Sequence, residues 1–476
     1  MQINEVSFTR GDVEYRVKLR ESASKSRKNT FTVMNGENGT GKSALLRVIS
    51  DASLGLEMSR QYRFISKNIS ISKIGKVART IAVSGTHNDR FPLNSGSEIR
   101  LNSGNFDLLP FYYYGPKQSG IYTSVSKASI TTAHSLLSAI AVPGEGFGQL
   151  GLLLQYMGFH PSLKISFEIG ARYRKPASRG LDELRTHVEK LTMNQNGGRS
   201  KLSETFRSSL ELAHMLFETR AIDAWARDRE DNARSMYLVL GDGFGIDDPS
   251  GLNSLIPAAD YFKVLADFLS VGVLSAHITL QRHGQDLPLN ALSSGEWQLF
   301  YTLANLTLNV QDDSLILVDE PENSLHPSWQ TDYLMLIRDL IKHKTGCHVI
   351  LATHSPLIAA SLLPFDGNLI RMSNGETDQR FRAEFEDTAY GWLPGDILKE
   401  RFEMDTVRPP EITKAINQSL RLLKNSSEPR PELTAAARRV MALRVHLPTH
   451  DPLVSLMDAI VEIAFPDLVE KGETAE

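Results

Sequence analysis

The sequence contains very little cysteine and no long apolar run. Cys347 is the only cysteine among 476 residues, which excludes an intrachain disulfide and any Cys-x-x-Cys metal site. It precedes the apolar run HVILATHS, which predicts a buried, unreactive thiol. No window reaches the roughly 18 consecutive apolar residues of a membrane span, and the N-terminus lacks the apolar core of a signal peptide. We therefore expect a cytoplasmic protein without membrane association.

Acidic residues exceed basic ones by only a small margin. The formal net charge is -4, so any contact with nucleic acid requires a local basic patch. The run ARYRKPASR, Arg172 to Arg179, is one candidate, and a solvated loop is the other interpretation of such a run. With 41% hydrophobic and 23% charged residues, the chain can bury one large core with insertions or form two domains.

Hydrophobic periodicity predicts an α/β fold. The alternating segments EYRVKLR and NTFTVMN predict strands, and the second leads through a glycine-rich turn into the helical segment KSALLRVIS. Further strand patterns predict a mixed β lobe, and a helical insertion interrupted by LKISFEIG covers about residues 119–234. Strands then alternate with helices, which is typical of a parallel sheet covered by helices. We expect one domain over residues 1–375 and a small helical extension over residues 376–476.

Residues 36–43, GENGTGKS, match the pattern G-x-x-x-x-G-K-[ST] between a predicted strand and a predicted helix. Glycines allow backbone N–H groups to surround phosphates, and the helix N-terminus attracts negative charge. Lys42 is expected to reach the β- and γ-phosphates, and the Ser43 hydroxyl to hold Mg²⁺. The alternative is a chance glycine-rich turn. The predicted ATP-binding residues are Asn35, Gly36, Asn38, Gly39, Thr40, Gly41, Lys42 and Ser43.

A second motif, SLILVDEPENSLHP, places two carboxylates after four apolar residues. Asp319 and Glu320 should emerge at the carboxyl edge of the sheet, where α/β proteins bind ligands. Asp319 is expected to bind Mg²⁺ through water, and Glu320 to act as general base on the attacking water. A surface Asp-Glu pair is the alternative. His354 ends the next apolar segment, which favours a γ-phosphate sensor over a core or surface histidine.

Between these motifs lies LSSGE, with Ser293, Ser294 and Gly295 at the start of a predicted helix. By itself this segment predicts an N-capping serine with an acidic first turn. Together with the glycine-rich loop and the Asp-Glu strand, it resembles the signature of ABC-type ATPases. The resemblance implies that the signature closes over ATP held by a second subunit. It therefore implies a head-to-tail homodimer that encloses two ATP molecules.

The segment DEPENSLHPSWQ, followed by THSP, resembles the SMC/RecF-like bacterial ATPases that include the OLD (AAA15-like) family and the ATPases of Septu and retron antiphage systems. The resemblance covers the P-loop region and Leu292 to Pro356. It implies an ABC-type ATPase head and a separate HNH-type nuclease subunit. A retron partner would add a reverse transcriptase with noncoding RNA and DNA. His326 occupies the position of the aspartate in the D-loop of transporter-type ATPases.

Other candidate sites have weaker patterns. Gln118 is the candidate Q-loop glutamine, with an ordinary loop glutamine as the alternative. His446, His450 and Asp451 suggest a metal site, but a surface loop is favoured because no further ligands lie nearby. No Asp-x-Asp follows Pro356, so we expect no internal TOPRIM nuclease. The absence of sustained heptads argues against a Rad50-like arm.

Three functions follow from these patterns. The first is an ATP-driven dimeric switch that controls a separate effector in antiphage defence. The second is a RecF-like clamp that binds duplex DNA, which would give salt-dependent binding that requires ATP. The third is a self-contained nuclease whose metal ligands are not apparent from the sequence.

Overall fold

The structure is a computed structural model of the chain. It describes residues 1–10, 12–20, 28–54, 67–92, 111–118, 121–122, 124–141, 147–179, 182–184, 186–187, 234–240, 244–247, 258–270, 272–375, 382–400, 408–425 and 431–465. The strands are β1 (Gln2–Arg10), β2 (Val13–Lys18), β3 (Thr30–Asn35), β4 (Lys67–Ile74), β5 (Arg79–Ser84), β6 (Phe111–Tyr114), β7 (Lys117–Gln118), β8 (Ile121–Tyr122), β9 (Ser162–Ile169), β10 (Arg234–Leu240), β11 (Phe244–Asp247), β12 (Leu274–Arg282), β13 (Gln285–Pro288), β14 (Ser314–Asp319), β15 (His348–Ala352), β16 (Gly367–Ser373) and β17 (Arg382–Glu386). The labelled helices are α1 (Lys42–Ser53), α2 (Val125–Ala141), α3 (Phe147–Tyr156), α4 (Arg174–Ser178), α5 (Ala258–Ser270), α6 (Ser294–Asn309), α7 (Pro327–Ile341), α8 (Pro356–Ala360), α9 (Pro394–Glu400), α10 (Pro410–Asn425), α11 (Pro431–Arg444) and α12 (Pro452–Ala464).

A seven-stranded sheet, in the order β17-β16-β3-β15-β14-β5-β6, forms the centre of the fold. Every neighbouring pair is parallel except the edge pair β16 and β17. Strands β3, β14 and β15 are buried along their whole length, which explains why their sequences are nearly continuous apolar runs. This arrangement confirms the predicted α/β class with a mainly parallel sheet.

Alternate residues of the central strands supply two separate cores. In β14, Ile316 and Val318 belong to the core on the face covered by α2, α3, α5, α6 and α7. Leu315 and Leu317 belong to the opposite core, which includes α1 and the first strands of the chain. Because successive side chains of a strand point to opposite faces, one apolar segment can fill both cores.

Two antiparallel sheets accompany the central sheet, in the orders β2-β1-β4 and β11-β10-β9-β12-β13. In β9 the buried side chains alternate with more exposed ones, as expected for a sheet with one covered face. His283 and Gly284 connect β12 to β13 and both have positive φ, at 51° and 75°. Such a pair forms a tight hairpin turn that matches the twist of the strands.

The chain divides into two compact units, Met1–Trp392 and Leu393–Glu476. The expected boundary near residue 375 falls between β16 and β17, which pair in the central sheet. The described part of the expected insertion contains α2, α3 and α4 together with strand β9. The second unit is helical and has its own core, to which Ile416, Val440 and Ile460 contribute.

Two expectations from the composition can be compared with the fold. Cys347 is a free, fully buried cysteine, as predicted from its apolar surroundings, and burial raises its thiol pKa to about 11. A high thiol pKa leaves little reactive thiolate at neutral pH. Among the described helices, none is both long enough and apolar enough to cross a bilayer.

His348 links the central sheet to the neighbouring antiparallel sheet. It is fully buried at the start of β15, where its Nδ1 accepts the Ile3 N–H at 3.1 Å and its Nε2 lies 2.9 Å from Thr32 Oγ1. The Thr32 hydroxyl in turn donates to Leu19 O at 2.9 Å. Burial, aided by the positive charge of Arg20, lowers the pKa of His348 to about 3. The neutral imidazole is therefore the form that the fold accommodates.

We expect this histidine to make stability depend on pH. The unfolded chain binds a proton below its pKa of about 6.5, whereas the folded chain does not until about pH 3. The stability provided by neutral His348 is therefore complete above pH 6.5. It is lost as the pH falls towards 3, by at most about 1.4 kcal/mol per pH unit. Thermal unfolding midpoints at pH 7.5 and 5.5 should differ more for the wild type than for His348→Gln.

The exposed His160, which contacts Ser162 Oγ at 2.8 Å, provides a matched control. His160→Gln should keep the pH dependence of the wild type. An equal dependence in His348→Gln and in the wild type would contradict the prediction.

Candidate functional site

The glycine-rich loop connects β3 to α1 at the carboxyl edge of the central sheet. Gly36 has φ of 144°, and a Cβ at this position would collide with the carbonyl oxygen of Met372. Gly41, at the N-cap of α1, is also left-handed, with φ of 93°. Side chains are disfavoured at both positions, so the glycines of the motif allow the loop to turn tightly into the helix.

Lys42 lies inside the loop rather than on the surface. Its side-chain ammonium donates to the carbonyl oxygens of Gly36 at 2.8 Å and Glu37 at 2.7 Å, and the residue is 4% exposed. Burial lowers the pKa of Lys42, while the carboxylates of Glu320 and Glu322 act to raise it. The loop thus holds a positive charge beside the backbone N–H groups at the start of α1.

Ser43 and Asp319 come together although 276 positions separate them in the chain. The Ser43 hydroxyl donates to Asp319 Oδ1 at 2.9 Å. Asp319 is 1% exposed, and its Oδ2 atom has no hydrogen-bond partner among the described residues. Burial raises the pKa of Asp319 to about 7, against the effect of the Ser43 hydrogen bond.

These two side chains fit a Mg²⁺ ion. A divalent cation would offset the desolvation of Asp319 and would use its unpaired oxygen. One carboxylate with one hydroxyl is a common protein contribution to Mg²⁺ bound by phosphates. The described residues contain no cluster of three or more His, Cys, Asp or Glu side chains that could hold a metal. Mg²⁺ usually completes its coordination with nucleotide phosphates and water, which Ser43 and Asp319 would leave room for.

Glu320 follows Asp319 in a left-handed backbone conformation, with φ of 45°. Its N–H donates to Ala352 O at 2.9 Å, and its side chain lines the cleft beside the glycine-rich loop. Asn323 Nδ2 lies 3.4 Å from Glu320 Oε2. A non-glycine residue in this region of backbone space is strained, and such strain concentrates at functional sites.

Three residues of the cleft were not predicted from the sequence. Thr86, Asn88 and Arg90 line it, opposite Lys42, Ser43 and other loop residues. They belong to the segment after β5, the strand that pairs directly with β14. Gly85 N donates to Asp319 O at 2.9 Å, which sets the start of this segment level with Asp319. In the sequence, these residues are marked only by their position after β5. The pairing of β5 with β14, which brings them to the cleft, could not be predicted from the sequence.

Two anchors hold this segment in place. Asp89 accepts hydrogen bonds from the Tyr113 hydroxyl at 2.5 Å and from the Phe91 N–H at 3.0 Å. Arg47 of α1 pairs with Asp51 and donates to the carbonyl oxygen of Arg90 at 2.5 Å. The segment is therefore tied both to β6 and to the helix that follows the glycine-rich loop.

His354 lies beside both glutamates of the DEPEN segment. Its Nδ1 is 3.2 Å from Glu322 Oε1 and 3.9 Å from Glu320 Oε1. Neither carboxylate oxygen forms a hydrogen bond with His354 Nδ1. The two carboxyl groups therefore affect the imidazole through their closeness alone. Glu322 was not singled out from the sequence, yet it is 6% exposed and its Oε1 accepts hydrogen bonds from Thr353 Oγ1 at 2.7 Å and from His354 N at 2.6 Å. Burial raises the pKa of Glu322.

The LSSGE segment forms the predicted capped helix start. Ser293 is the N-cap of α6, and with Glu296 it makes a reciprocal capping box. Burial tends to raise the pKa of Glu296, but hydrogen bonds from Arg282 and Ser293 lower it. A Cβ on Gly295 would collide with the carbonyl oxygen of Ser324. Ser293 and Ser294 are exposed, and neither belongs to the lining of the cleft.

Several predicted residues have other surroundings. Asn35 is fully buried at the end of β3, and neither polar atom of its amide has a partner among the described residues. Thr40 donates to Glu37 O at 2.8 Å, whereas Asn38 and Gly39 are exposed. Gln118 lies in β7, and its side chain is outside the described part of the chain. Its assignment remains a prediction.

The other candidate segments have ordinary structural roles. Both carboxylate oxygens of Asp451 accept hydrogen bonds from Arg408, and Asp451 also caps α12. His326 caps α7 through its Nδ1, which accepts the Ser328 N–H. The basic run includes α4, where Arg174 lies 3.9 Å from Glu168.

Part of the chain matches a known family. The family model described as "AAA domain, putative AbiEii toxin, Type IV TA system" matches residues 186–360. The Septu protein PtuA of Bacillus thuringiensis is 26% identical over 191 residues, which cover 36% of this chain and 47% of that protein. Protein ea59 of Escherichia phage lambda is 39% identical over 67 residues, or 14% of this chain and 13% of ea59. The chain thus spans less than half the length of these curated relatives.

Among solved structures, the Smc head domain with an extended coiled coil, bound to the C-terminal domain of ScpA and derived from Pyrococcus furiosus, is similar at 10% identity. The similarity covers 81% of this chain and 96% of that chain, with a TM-score of 0.32. The PtuA match confirms the predicted resemblance to a Septu protein, and the family model identifies a segment similar to an AAA domain within residues 186–360.

Proposed function

We propose that this chain is an ATP-binding and ATP-hydrolysing switch that dimerises around nucleotide and controls a separate effector. One observation carries the proposal: the glycine-rich loop and Glu320 line one cleft at the carboxyl edge of the central sheet, and Ser43 of that lining donates to the buried Asp319. A phosphate-binding loop next to a buried carboxylate and a cleft-lining glutamate is the arrangement that phosphoryl transfer to water requires.

The chain's own residues have distinct parts in this proposal. Lys42 and the N-terminus of α1 bind the phosphates, while Ser43 and Asp319 hold the metal. A Mg²⁺ ion held there would neutralise charge on the phosphate oxygens. Glu320 accepts a proton from the attacking water, and its backbone hydrogen bond to β15 fixes its position. His354, whose Nδ1 lies 3.9 Å from Glu320 Oε1, is the proposed sensor of the terminal phosphate.

The exposed position of the signature supports a dimer. Ser293 and Ser294 are exposed to solvent at the N-terminus of α6, and the cleft around Lys42 is lined by other residues. Such an N-terminus can donate hydrogen bonds to a phosphate held by a second copy. Two chains arranged head to tail would then enclose two ATP molecules.

The proposed effector is a nuclease encoded by a separate gene. The similarity to a Septu protein favours a role in antiphage defence, with an HNH-type nuclease as partner. A reverse transcriptase with noncoding RNA and DNA would be the partner in a retron. The helical second unit, Leu393–Glu476, is the proposed region of contact because it has its own core.

The test is an affinity purification of tagged Glu320→Gln protein from its native host with ATP and Mg²⁺. Mass spectrometry and nucleic-acid sequencing would identify what co-purifies. A stoichiometric nuclease, reverse transcriptase or structured RNA is expected. Genomic DNA with repair proteins and no effector would instead favour a RecF-like clamp. Cleavage of nucleic acid by the purified chain alone, lost on chelation, would favour a self-contained nuclease.

Arg90 is expected to contribute to nucleotide affinity, since it brings a second cation to the cleft that contains Lys42. Arg90→Ala should weaken ATP binding about tenfold, the effect of one charge-assisted hydrogen bond of about 1.4 kcal/mol. Titration calorimetry with ATP, ADP and AMP would show which phosphate it contacts. Arg16→Ala is the matched control, because Arg16 is exposed and pairs with Glu14 in β2. Equal ATP affinity in Arg90→Ala and the wild type would contradict the prediction.

A further inference from the structure

A closed set of hydrogen bonds surrounds the buried carboxylate of Glu322. Glu322 Oε1 accepts from Thr353 Oγ1, and Thr353 Oγ1 accepts from Ser355 N at 2.8 Å. Ser355 Oγ donates to Gln330 Oε1 at 2.7 Å, and Gln330 Nε2 donates to Leu325 O at 3.1 Å. Leu325 N donates to Glu322 O at 3.0 Å, which closes the set. We name these five residues the Glu322 ring.

The ring joins three segments that are separate in the sequence. Glu322 and Leu325 belong to the turn after β14, Gln330 to α7, and Thr353 and Ser355 to the segment after β15. The same Glu322 oxygen also accepts the N–H of His354 at 2.6 Å. The backbone of His354 is therefore hydrogen-bonded directly to the turn that begins at Glu320.

A buried carboxylate at this position carries a desolvation cost in free energy. Glu322 is 6% exposed, and its Oε2 atom has no hydrogen-bond partner among the described residues. A well-packed apolar residue is usually at least as stabilising as a buried charge that is only partly paired. A structural role alone is thus a weak reason for a glutamate here, whereas a charge 3.2 Å from His354 Nδ1 has a chemical effect.

The opposite end of the turn is open to solvent. Ser324 and His326 are exposed, and Ser324 has a left-handed backbone with φ of 71°. The carbonyl oxygen of Ser324 also lies against Gly295 at the start of α6. The exposed turn is therefore connected through Leu325 of the ring to the segment that contains His354, and the signature helix touches the same turn.

We propose that Glu322 is a positioning residue that holds His354 at the nucleotide and couples it to the exposed turn at residues 323–326. The inference rests on the proposed ATPase function, because it assigns Glu322 an action through His354. It adds a residue outside the glycine-rich loop and the Asp319–Glu320 pair. The proposed partner of the turn is a second copy of the chain, which would contact Ser324 and His326.

The test is a double-mutant cycle of Glu322→Gln and His354→Ala in ATP hydrolysis by the full chain. Glu322→Gln retains the volume and an acceptor oxygen but removes the charge. It should lower kcat about tenfold and change KM for ATP less than about twofold. The loss is smaller than the roughly 10²- to 10⁴-fold contribution of a general acid or base, because Glu322 acts only through His354. In the His354→Ala background, Glu322→Gln should cause no further loss, because its effect passes through His354.

A second variant breaks the ring away from the carboxylate. Gln330→Met keeps a long side chain but removes the hydrogen bonds to Ser355 and Leu325. It should lower kcat in a protein that retains His354, and it should cause no further loss in the His354→Ala protein. Glu168→Gln, a change at an exposed carboxylate on β9, is the matched control and should leave kcat unchanged. If Glu322→Gln does not fold, the Gln330→Met cycle decides the question.

Two results would overturn the inference alone. The first is an active wild type whose kcat is unaffected by both ring variants. The second is a ring variant that lowers kcat equally with and without His354, as expected of a merely structural role. A wild-type chain that binds no ATP would overturn the proposed function, and it would be recognised before any variant is compared.

Discussion

Glu320→Gln should lower kcat for ATP hydrolysis by about 10³-fold while ATP binding remains close to that of the wild type. General-base catalysis typically contributes about 10² to 10⁴-fold, and glutamine cannot accept the proton of the attacking water. The substitution keeps the shape of the side chain and leaves the backbone hydrogen bond to Ala352 unchanged. Because ATP stays bound, the protein should accumulate as a dimer, which size-exclusion chromatography with ATP and Mg²⁺ would detect.

The control for this variant is Glu168→Gln, which alters an exposed carboxylate on the five-stranded sheet. It should hydrolyse ATP at the wild-type rate and show no stable dimer. A Glu320→Gln protein that still hydrolyses ATP within about tenfold of the wild type would exclude this residue as the general base.

Lys42→Ala should remove most of the affinity for ATP and prevent the nucleotide-dependent dimer. Lys42 is the buried cation of the glycine-rich loop, and charged hydrogen bonds of about 1.5 to 3 kcal/mol correspond to about 10- to 150-fold in affinity. Titration with ATP would measure the loss, and chromatography with ATP would show only the monomer. Circular dichroism would confirm that the variant is folded.

Lys73→Ala, which removes an exposed lysine from β4, is the matched control and should bind ATP normally. The contrast between Lys42→Ala and Glu320→Gln is the decisive comparison. Identical elution of the two proteins in the presence of ATP would contradict the switch, since only one of them is expected to hold ATP.

Local patterns predicted the central parts of the site well. The segments around β3, β14 and β15 are apolar runs that end in polar residues, and each forms a buried strand of the central sheet. The capping serine and acidic first turn of LSSGE are also present as predicted. These features depend on residues a few positions apart, so the sequence contains all of the information that specifies them.

Other parts of the cleft could not be predicted locally. Thr86, Asn88 and Arg90 lie beside the glycine-rich loop because β5 pairs with β14, more than 200 positions later in the chain. Glu322 meets Thr353 for a similar reason, since β15 lies between β3 and β14. Beyond the expected domain boundary, β17 joins the central sheet by pairing with β16, the strand that precedes it in the chain.

The sequence by itself determined which segments become strands and helices, where the glycine-rich loop turns, and which carboxylates follow a buried strand, because each depends on local periodicity and backbone freedom. Only the tertiary structure decided that Ser43 meets Asp319, that the segment after β5 completes the cleft, and that Glu322 holds His354. These contacts depend on the order of strands in the sheet, which is set by the packing of the two cores and not by any single segment.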